Sequence, residues 1–199
     1  MELSGNCYKI RLFCALTGLQ YESVAVDLAQ GEHKEAAFRQ LNPRGQVPVL
    51  DDDGIVIWDS MAILIYLARK YGDPRWLPLE AEPLAQVMQW LALSQNELLY
   101  GLARARAVKL FNRPWEISQC QELGRLGLAA LESHLRNHPW LVDPRPTLAD
   151  ISCYPYVALA PEGGVSLNDF SHTRQWVSRV QSLPGYIGMP GIQSSPWRG

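Results

Sequence analysis

Asn42-Pro-Arg-Gly-Gln-Val-Pro-Val-Leu-Asp-Asp-Asp-Gly-Ile-Val-Ile-Trp-Asp-Ser60 contains two short apolar runs, Val47 to Asp51 and Ile55 to Trp58, separated by Asp52-Asp53-Gly54. An Asp-Gly pair between apolar runs is a strong hairpin signal. Asp59-Ser60 then opens a helix through Ala62, Ile63, Tyr66 and Leu67. Arg69 and Lys70 suit its C-terminal dipole and Gly72 ends it. Upstream, Cys7 to Leu16 predicts a helix stopped by Gly18, and Tyr21 to Asp27 alternates with period two and predicts a strand. A polar segment, Gly31 to Lys34, leads into a short helix ending before Asn42-Pro43. The order helix, strand, helix, strand, strand, helix fits one small α/β domain over residues 1–72, with room for at most a very short strand before Cys7.

Residues 73–83 carry three prolines and no period, and read as a linker. Residues 84–199 are helical in pattern throughout. Leu84, Val87, Met88, Leu91, Leu98, Leu99 and Leu102 form one stripe, interrupted by the polar pair Ser94-Gln95. That pair faces a cleft, faces an interface, or is buried with its polar groups satisfied. Leu123 to Leu135, Thr147 to Tyr156 and Arg174 to Ser182 mark further helices. Thr147 and Asp150 carry the spacing of a capping box and are assigned to stability. Arg106, Lys109 and Arg113 share a helix face that reads as solvated.

The composition narrows the function classes. With 47% hydrophobic and 19% charged residues the 199-residue chain packs a core, and a net charge of -2 gives no global pull toward nucleic acid or anionic membrane. No apolar run approaches the roughly 18–20 residues that span a bilayer. Lys9 and Arg11 before Leu12 to Leu19 faintly resemble a signal peptide, but the stretch is short and carries Thr17 and Gly18, so it reads as a core-facing helix. Cys7, Cys14, Cys120 and Cys153 form no CxxC pair and no zinc-spaced cluster. The expectation is free thiols in a reducing, cytoplasmic compartment and no metal.

Four short pieces carry chemistry. Ser4, Asn6 and Cys7 lie at a helix start, whose unpaired N–H groups and dipole favour an anion such as a thiolate; plain capping is the simpler alternative. Lowering a thiol pKa by two units takes about 2.7 kcal/mol. Val47-Pro48 opens a strand: a cis bond there turns the Val47 backbone toward an extended peptide, while an ordinary trans proline is the commoner case. The helix start at Asp59-Ser60 suits an α-carboxylate, with Asp59 receiving an α-ammonium or simply capping. His33-Lys34 in a loop can hold a second carboxylate, or be solvated. Together the pieces describe one peptide-like thiol ligand.

This combination resembles the soluble glutathione transferase family over essentially the whole chain. The matching pieces are Ser4, His33-Lys34, Gln46-Val47-Pro48 and Asp59-Ser60, with gaps of 29, 13 and 13 residues. The spacing is similar to that of the serine-using phi and theta classes. The resemblance implies a thioredoxin-like N-terminal domain, an all-α C-terminal domain, glutathione as co-substrate, and a homodimer active in detoxification. It implies Ser4 against the thiolate, His33 and Lys34 on the glycyl carboxylate, Val47 on the cysteinyl backbone, and Gln46, Asp59 and Ser60 on the γ-glutamyl end. In other branches an Asn takes part in thiol binding, which makes Asn6 a second candidate, and Cys7 stands near the catalytic Cys of beta-like and omega-like members. Family members carry several strand residues before the catalytic position and only Met1-Glu-Leu3 precede Ser4 here, so the expectation is either a stunted first strand or a start that differs from the natural one. Tyr8, Tyr100 and Arg104 are the candidates for contact with a small electrophile. Glutathione-dependent disulfide or peroxide reduction through Asn6 or Cys7, and a non-catalytic binding or regulatory role on the same fold, are the alternatives.

Overall fold

The computed structural model describes residues 2–142 and 144–193; Met1 of the first expected domain and residues 143 and 194–199 of the second lie outside them. Helix α1 (Gly5–Thr17) begins where Ser4 caps it, the Ser4 Oγ accepting the Cys7 N–H at 3.2 Å. It ends at Gly18, whose φ of 72° is the left-handed C-cap that glycine adopts without a Cβ penalty. Its inward face buries Tyr8, Leu12 and Phe13 completely. Glu2 and Leu3 form a turn, and no strand precedes α1 among the described residues.

The period-two stretch Tyr21 to Asp27 is a correction to the sequence reading: it is irregular and joins no ladder among the described residues, with Tyr21 and Val24 exposed. Alternation describes a half-buried surface, but a strand exists only when a neighbour takes its backbone groups. Among the described residues the one ladder is the hairpin of β1 (Val49–Asp52) and β2 (Ile55–Trp58), antiparallel with Val49 opposite Trp58 and Asp52 opposite Ile55. Asp53 and Gly54 turn it with φ values of 52° and 84°, the positive pair that a two-residue hairpin turn uses. A 3-10 turn (Glu32–Lys34) and a short α2 (Ala36–Leu41) lead into the hairpin.

Asp52 fastens the hairpin to α3 (Ser60–Lys70) by accepting from Tyr66 Oη at 2.7 Å, Lys70 Nζ at 2.7 Å and Tyr71 Oη at 2.8 Å. These donors, Lys70 first, hold its carboxyl down to about 2. The connection to the second domain is structured: Pro74–Trp76 makes a 3-10 turn and Trp76 lies edge-on to Phe13, centroids 5.5 Å apart. Helix α4 (Ala81–Leu93) starts inside the expected linker, so Ala81–Pro83 are its first turn. Proline is tolerated there because first-turn N–H groups have no intrahelical partner.

Helix α4 runs through a π-helical segment, Ser94–Ala103, into α5 (Arg104–Phe111) without a break. Helix α6 (Ile117–Leu135) crosses this rod where Gly101 meets Gly124, so closely that a Cβ on Gly101 would strike the Gly124 backbone. Helix α7 (Leu148–Ala158) packs against α1, α3, α4 and the π segment, and all of its residues are buried. A helix apolar on every face belongs at the centre of a core. Its capping box forms as expected, with the Thr147 N–H donating to Asp150 Oδ2 at 2.9 Å. Asp150 Oδ1 also accepts from Leu141 N at 3.1 Å and Trp176 Nε1 at 2.8 Å, the latter on α8 (Ser171–Gln181). Burial pushes this carboxyl up to about 6 against those donors.

One charged face departs from its expected solvated state. Arg106 is 4% exposed, pairs with Glu162 at 2.6 Å, and donates from Nη1 to the Leu3 carbonyl at 2.7 Å. Helical phase placed it with Lys109 and Arg113, but the 3-10 turn Ala160–Gly163 covers the face at Arg106's level.

Candidate functional site

The site is built on the N-termini of α1 and α3 and the loop before β1. At α1, Ser4, Asn6 and Cys7 are partly exposed. The Ser4 oxygen accepts from the Cys7 N–H, which leaves its own hydroxyl hydrogen available to a ligand. The Asn6 Oδ1 is buried and has no partner among the described residues. Beneath this turn lies Tyr156 of α7: a Cβ on Gly5 would sit 2.5 Å from its ring, so only glycine lets the turn approach.

The loop before β1 is braced from within. Asn42 is 2% exposed; its Nδ2 donates to the Gln46 carbonyl at 2.7 Å and its Oδ1 accepts from Arg44 N at 3.0 Å. Gln46 itself is exposed, Val47 and Pro48 are partly buried, and the Val47–Pro48 bond is cis. No backbone hydrogen bond engages Val47 among the described residues. His33 lies on the 3-10 turn with Nδ1 buried and without a partner among the described residues, and Lys34 is exposed. Gly45, at φ 58°, abuts the His33 carbonyl, which joins this turn to the loop.

At α3, Asp59 caps the helix by accepting the Met61 N–H at 2.9 Å. The same carboxylate accepts from Arg44 Nη1 at 3.2 Å and from Gln95 Nε2 at 2.7 Å. Ser60 is 1% exposed and its Oγ has no partner among the described residues. The Gln95 Oε1 is likewise buried and unpartnered. Gln95 is a residue that sequence reasoning did not assign to the site. Its signal was present as a polar interruption in an apolar stripe, but only the fold reveals that it reaches across to Asp59.

The structure separates the three residues expected to meet an electrophile. Tyr8 is corrected: it is 0% exposed, donates its hydroxyl to the Ile187 carbonyl at 2.5 Å, and packs beside Tyr154. Burial raises its pKa and nothing from solvent reaches it. Its helical phase puts it on the same inward face as Leu12. Tyr100 and Arg104 do share a face, the guanidinium lying 4.3 Å from the Tyr100 ring centroid and 4.9 Å from that of Trp115. Trp115, unassigned from sequence, completes this stack.

Among the described residues no group of three or more His, Cys, Asp or Glu can hold a metal ion, and no helix is long and apolar enough to cross a membrane. The four cysteines are free thiols, with Cys7 the most accessible and the rest buried.

Comparison with known proteins meets this geometry. Residues 3–69 match the model of the "Glutathione S-transferase, N-terminal domain" and residues 116–184 that of the "Glutathione S-transferase, C-terminal domain". The chain is 32% identical to a maleylacetoacetate isomerase of Pseudomonas aeruginosa, over 92% of this chain and 90% of that one. It is 29% identical to the disulfide-bond oxidoreductase YfcG of Escherichia coli, over 90% of this chain and 87% of that one. The solved structure of a glutathione S-transferase from Pseudomonas fluorescens superposes with a TM-score of 0.88 at 37% identity, covering 94% of each chain.

Proposed function

We propose that this chain, which belongs to the glutathione S-transferase family, is a transferase that activates the thiol of glutathione for attack on a small hydrophobic electrophile. One observation carries the reading: the Ser4 hydroxyl stands at the partly exposed N-terminus of α1 with its hydrogen available for donation. A thiolate placed there meets a hydroxyl donor and the positive end of the helix dipole, whose combined contribution matches the energy of a two-unit pKa drop. The thiol proton leaves to solvent, and a sulfur lone pair forms the carbon–sulfur bond as the electrophile releases its leaving group or accepts the electrons.

The remaining residues bind and orient. The Val47 N–H and C=O, unengaged among the described residues, pair with the cysteinyl backbone in this reading. Ser60, at the α3 N-terminus, receives the γ-glutamyl carboxylate. The ammonium goes to Asp59, with the Gln95 Oε1 beside it. His33 and Lys34 hold the glycyl carboxylate, and Gln46 borders the γ-glutamyl end. Tyr100, Arg104 and Trp115 offer the electrophile a stacked surface. A cytoplasmic homodimer belongs to the same reading; exposed Ile55, Trp58 and Met88 are apolar surface that a partner can cover, and light scattering measures it.

A second reading is glutathione-dependent disulfide reduction, favoured by the accessible Cys7 thiol next to Asn6. Turnover of an activated aryl halide and of a glutathione mixed disulfide by Ser4→Ala, Asn6→Ala and Cys7→Ala separates the two. Loss of one donor to the reacting sulfur lowers kcat/KM by about a hundredfold, so Ser4→Ala is expected to lose that much conjugation. Conjugation unchanged in all three variants contradicts the first reading. Disulfide turnover that falls only with Asn6→Ala or Cys7→Ala favours the second.

A further inference from the structure

Lys9 is 0% exposed, on the inward side of α1 between the two domains. Its one described hydrogen bond runs from Nζ to Ser94 Oγ at 3.3 Å, and the Ser94 hydroxyl in turn donates to the Ser152 carbonyl at 2.7 Å. The ammonium lies 4.9 Å from the centroid of the Tyr156 ring, and the same ring is wedged beneath Gly5 at the start of α1. Cation and first turn thus share the Tyr156 ring as a common neighbour. No carboxylate forms an ion pair with Lys9 among the described residues.

The surrounding groups compensate that charge only in part, and none of them by a direct ion pair among the described residues. From α7 the titratable groups are Cys153, pushed up to about 12 by burial and therefore a neutral thiol, and Tyr156, raised by burial and neutral too. From the π segment comes neutral Ser94. Asp59, capping α3, acts on Lys9 through space while its oxygens are engaged by Met61, Arg44 and Gln95. Cys7, Arg106 and Asp59 act through space on Tyr156. A buried cation with no anion in direct contact is destabilising, and an apolar side chain of the same length packs as well. An anion arriving at the N-terminus of α1 supplies what the protein alone does not.

We propose that Lys9 is a positioning residue for the thiol site: its buried ammonium, which shares the Tyr156 ring with the first turn of α1, provides the positive field in which the thiolate of bound glutathione forms. The proposal rests on the reading of the site given above. It requires Lys9 to be charged near neutral pH; burial pulls it down to about 8, which leaves it protonated there.

The test follows the ultraviolet absorbance of the thiolate of bound glutathione against pH in the whole chain and in Lys9→Met, Lys9→Gln and Lys9→Arg, with glutathione affinity measured by calorimetry. Lys9→Met and Lys9→Gln are expected to raise the pH midpoint by about one unit, a tenfold loss of thiolate below the midpoint. Affinity is expected to change by less than about threefold, and Lys9→Arg to keep the wild-type midpoint. Packing lost without a field effect would lower affinity or stability and leave the midpoint in place. A neutral variant that binds glutathione with an unmoved midpoint overturns the proposal, as does a Lys9→Arg midpoint raised like that of Lys9→Gln. Wild-type protein that binds no glutathione fails at the earlier reading instead, and removes both.

Discussion

Gln95 Nε2 donates to Asp59 Oδ1 at 2.7 Å, so a residue of the helical domain grips the N-cap of the helix that closes the α/β domain. The same carboxylate caps α3 through Met61 and pairs with Arg44 of the loop before β1. One side chain thereby registers three parts of the candidate glutathione site.

Asp59→Ala removes all of these contacts at once. Loss of the cap alone costs about 1 kcal/mol, and the Arg44 pair, on the surface, adds little. The expected outcome is a modest loss of stability, about 1–2 kcal/mol in denaturant unfolding, with a much larger loss of glutathione affinity. Equal affinity in the variant contradicts a role in the site.

Gly101→Ala tests the crossing of the π segment with α6. The added methyl meets the Gly124 backbone, which cannot rotate away as a side chain can. Overpacking of this kind costs about 1–3 kcal/mol or more, and Gly188→Ala, where a methyl meets open space, serves as control. Unfolding midpoints measured together decide it: the first variant falls well below wild type and the second stays close to it.

Lys9→Met has a pH signature in stability as well as in the thiol. The folded pKa of Lys9, about 8, is depressed from the usual 10.5 by burial. Between those values the unfolded chain holds a proton that the folded chain has shed, so this group makes stability rise with pH across that window. The rise is on the order of 3 kcal/mol. Lys9→Met lacks it, and is expected to be more stable than wild type near pH 7, with the advantage shrinking as pH climbs from about 8 toward 10. Unfolding curves that stay parallel across this range contradict the assignment of the buried charge.

Much of this was legible in the residues themselves. Asp53-Gly54 predicts its hairpin because the turn chemistry is local, and Gly18, Asp59 and the Thr147–Asp150 box place helix ends for the same reason. Tyr21 to Asp27 misled because a strand depends on a partner elsewhere in the chain. Tyr8 misled because it faces inward, a matter of helical phase set by how α1 docks on α7. Arg106 is the long-range case: a charge on a helix reads as solvated until the tertiary fold buries it, and Lys9, given no role from the sequence, is buried in the same way. Gln95 and Trp115 join the candidate site from the helical domain, across more than thirty-five residues of sequence from Asp59 in the case of Gln95, a distance over which spacing carries no signal.

The most direct measurement is isothermal calorimetry of reduced glutathione binding to the whole chain and to Ser60→Ala, whose hydroxyl is buried at the α3 N-terminus without a partner among the described residues. The wild type is expected to bind with micromolar to millimolar Kd, weakened about tenfold in the variant, the equivalent of one charge-assisted hydrogen bond. Absence of binding heat by the wild type at millimolar glutathione, at more than one temperature, would contradict the claim that this site holds glutathione.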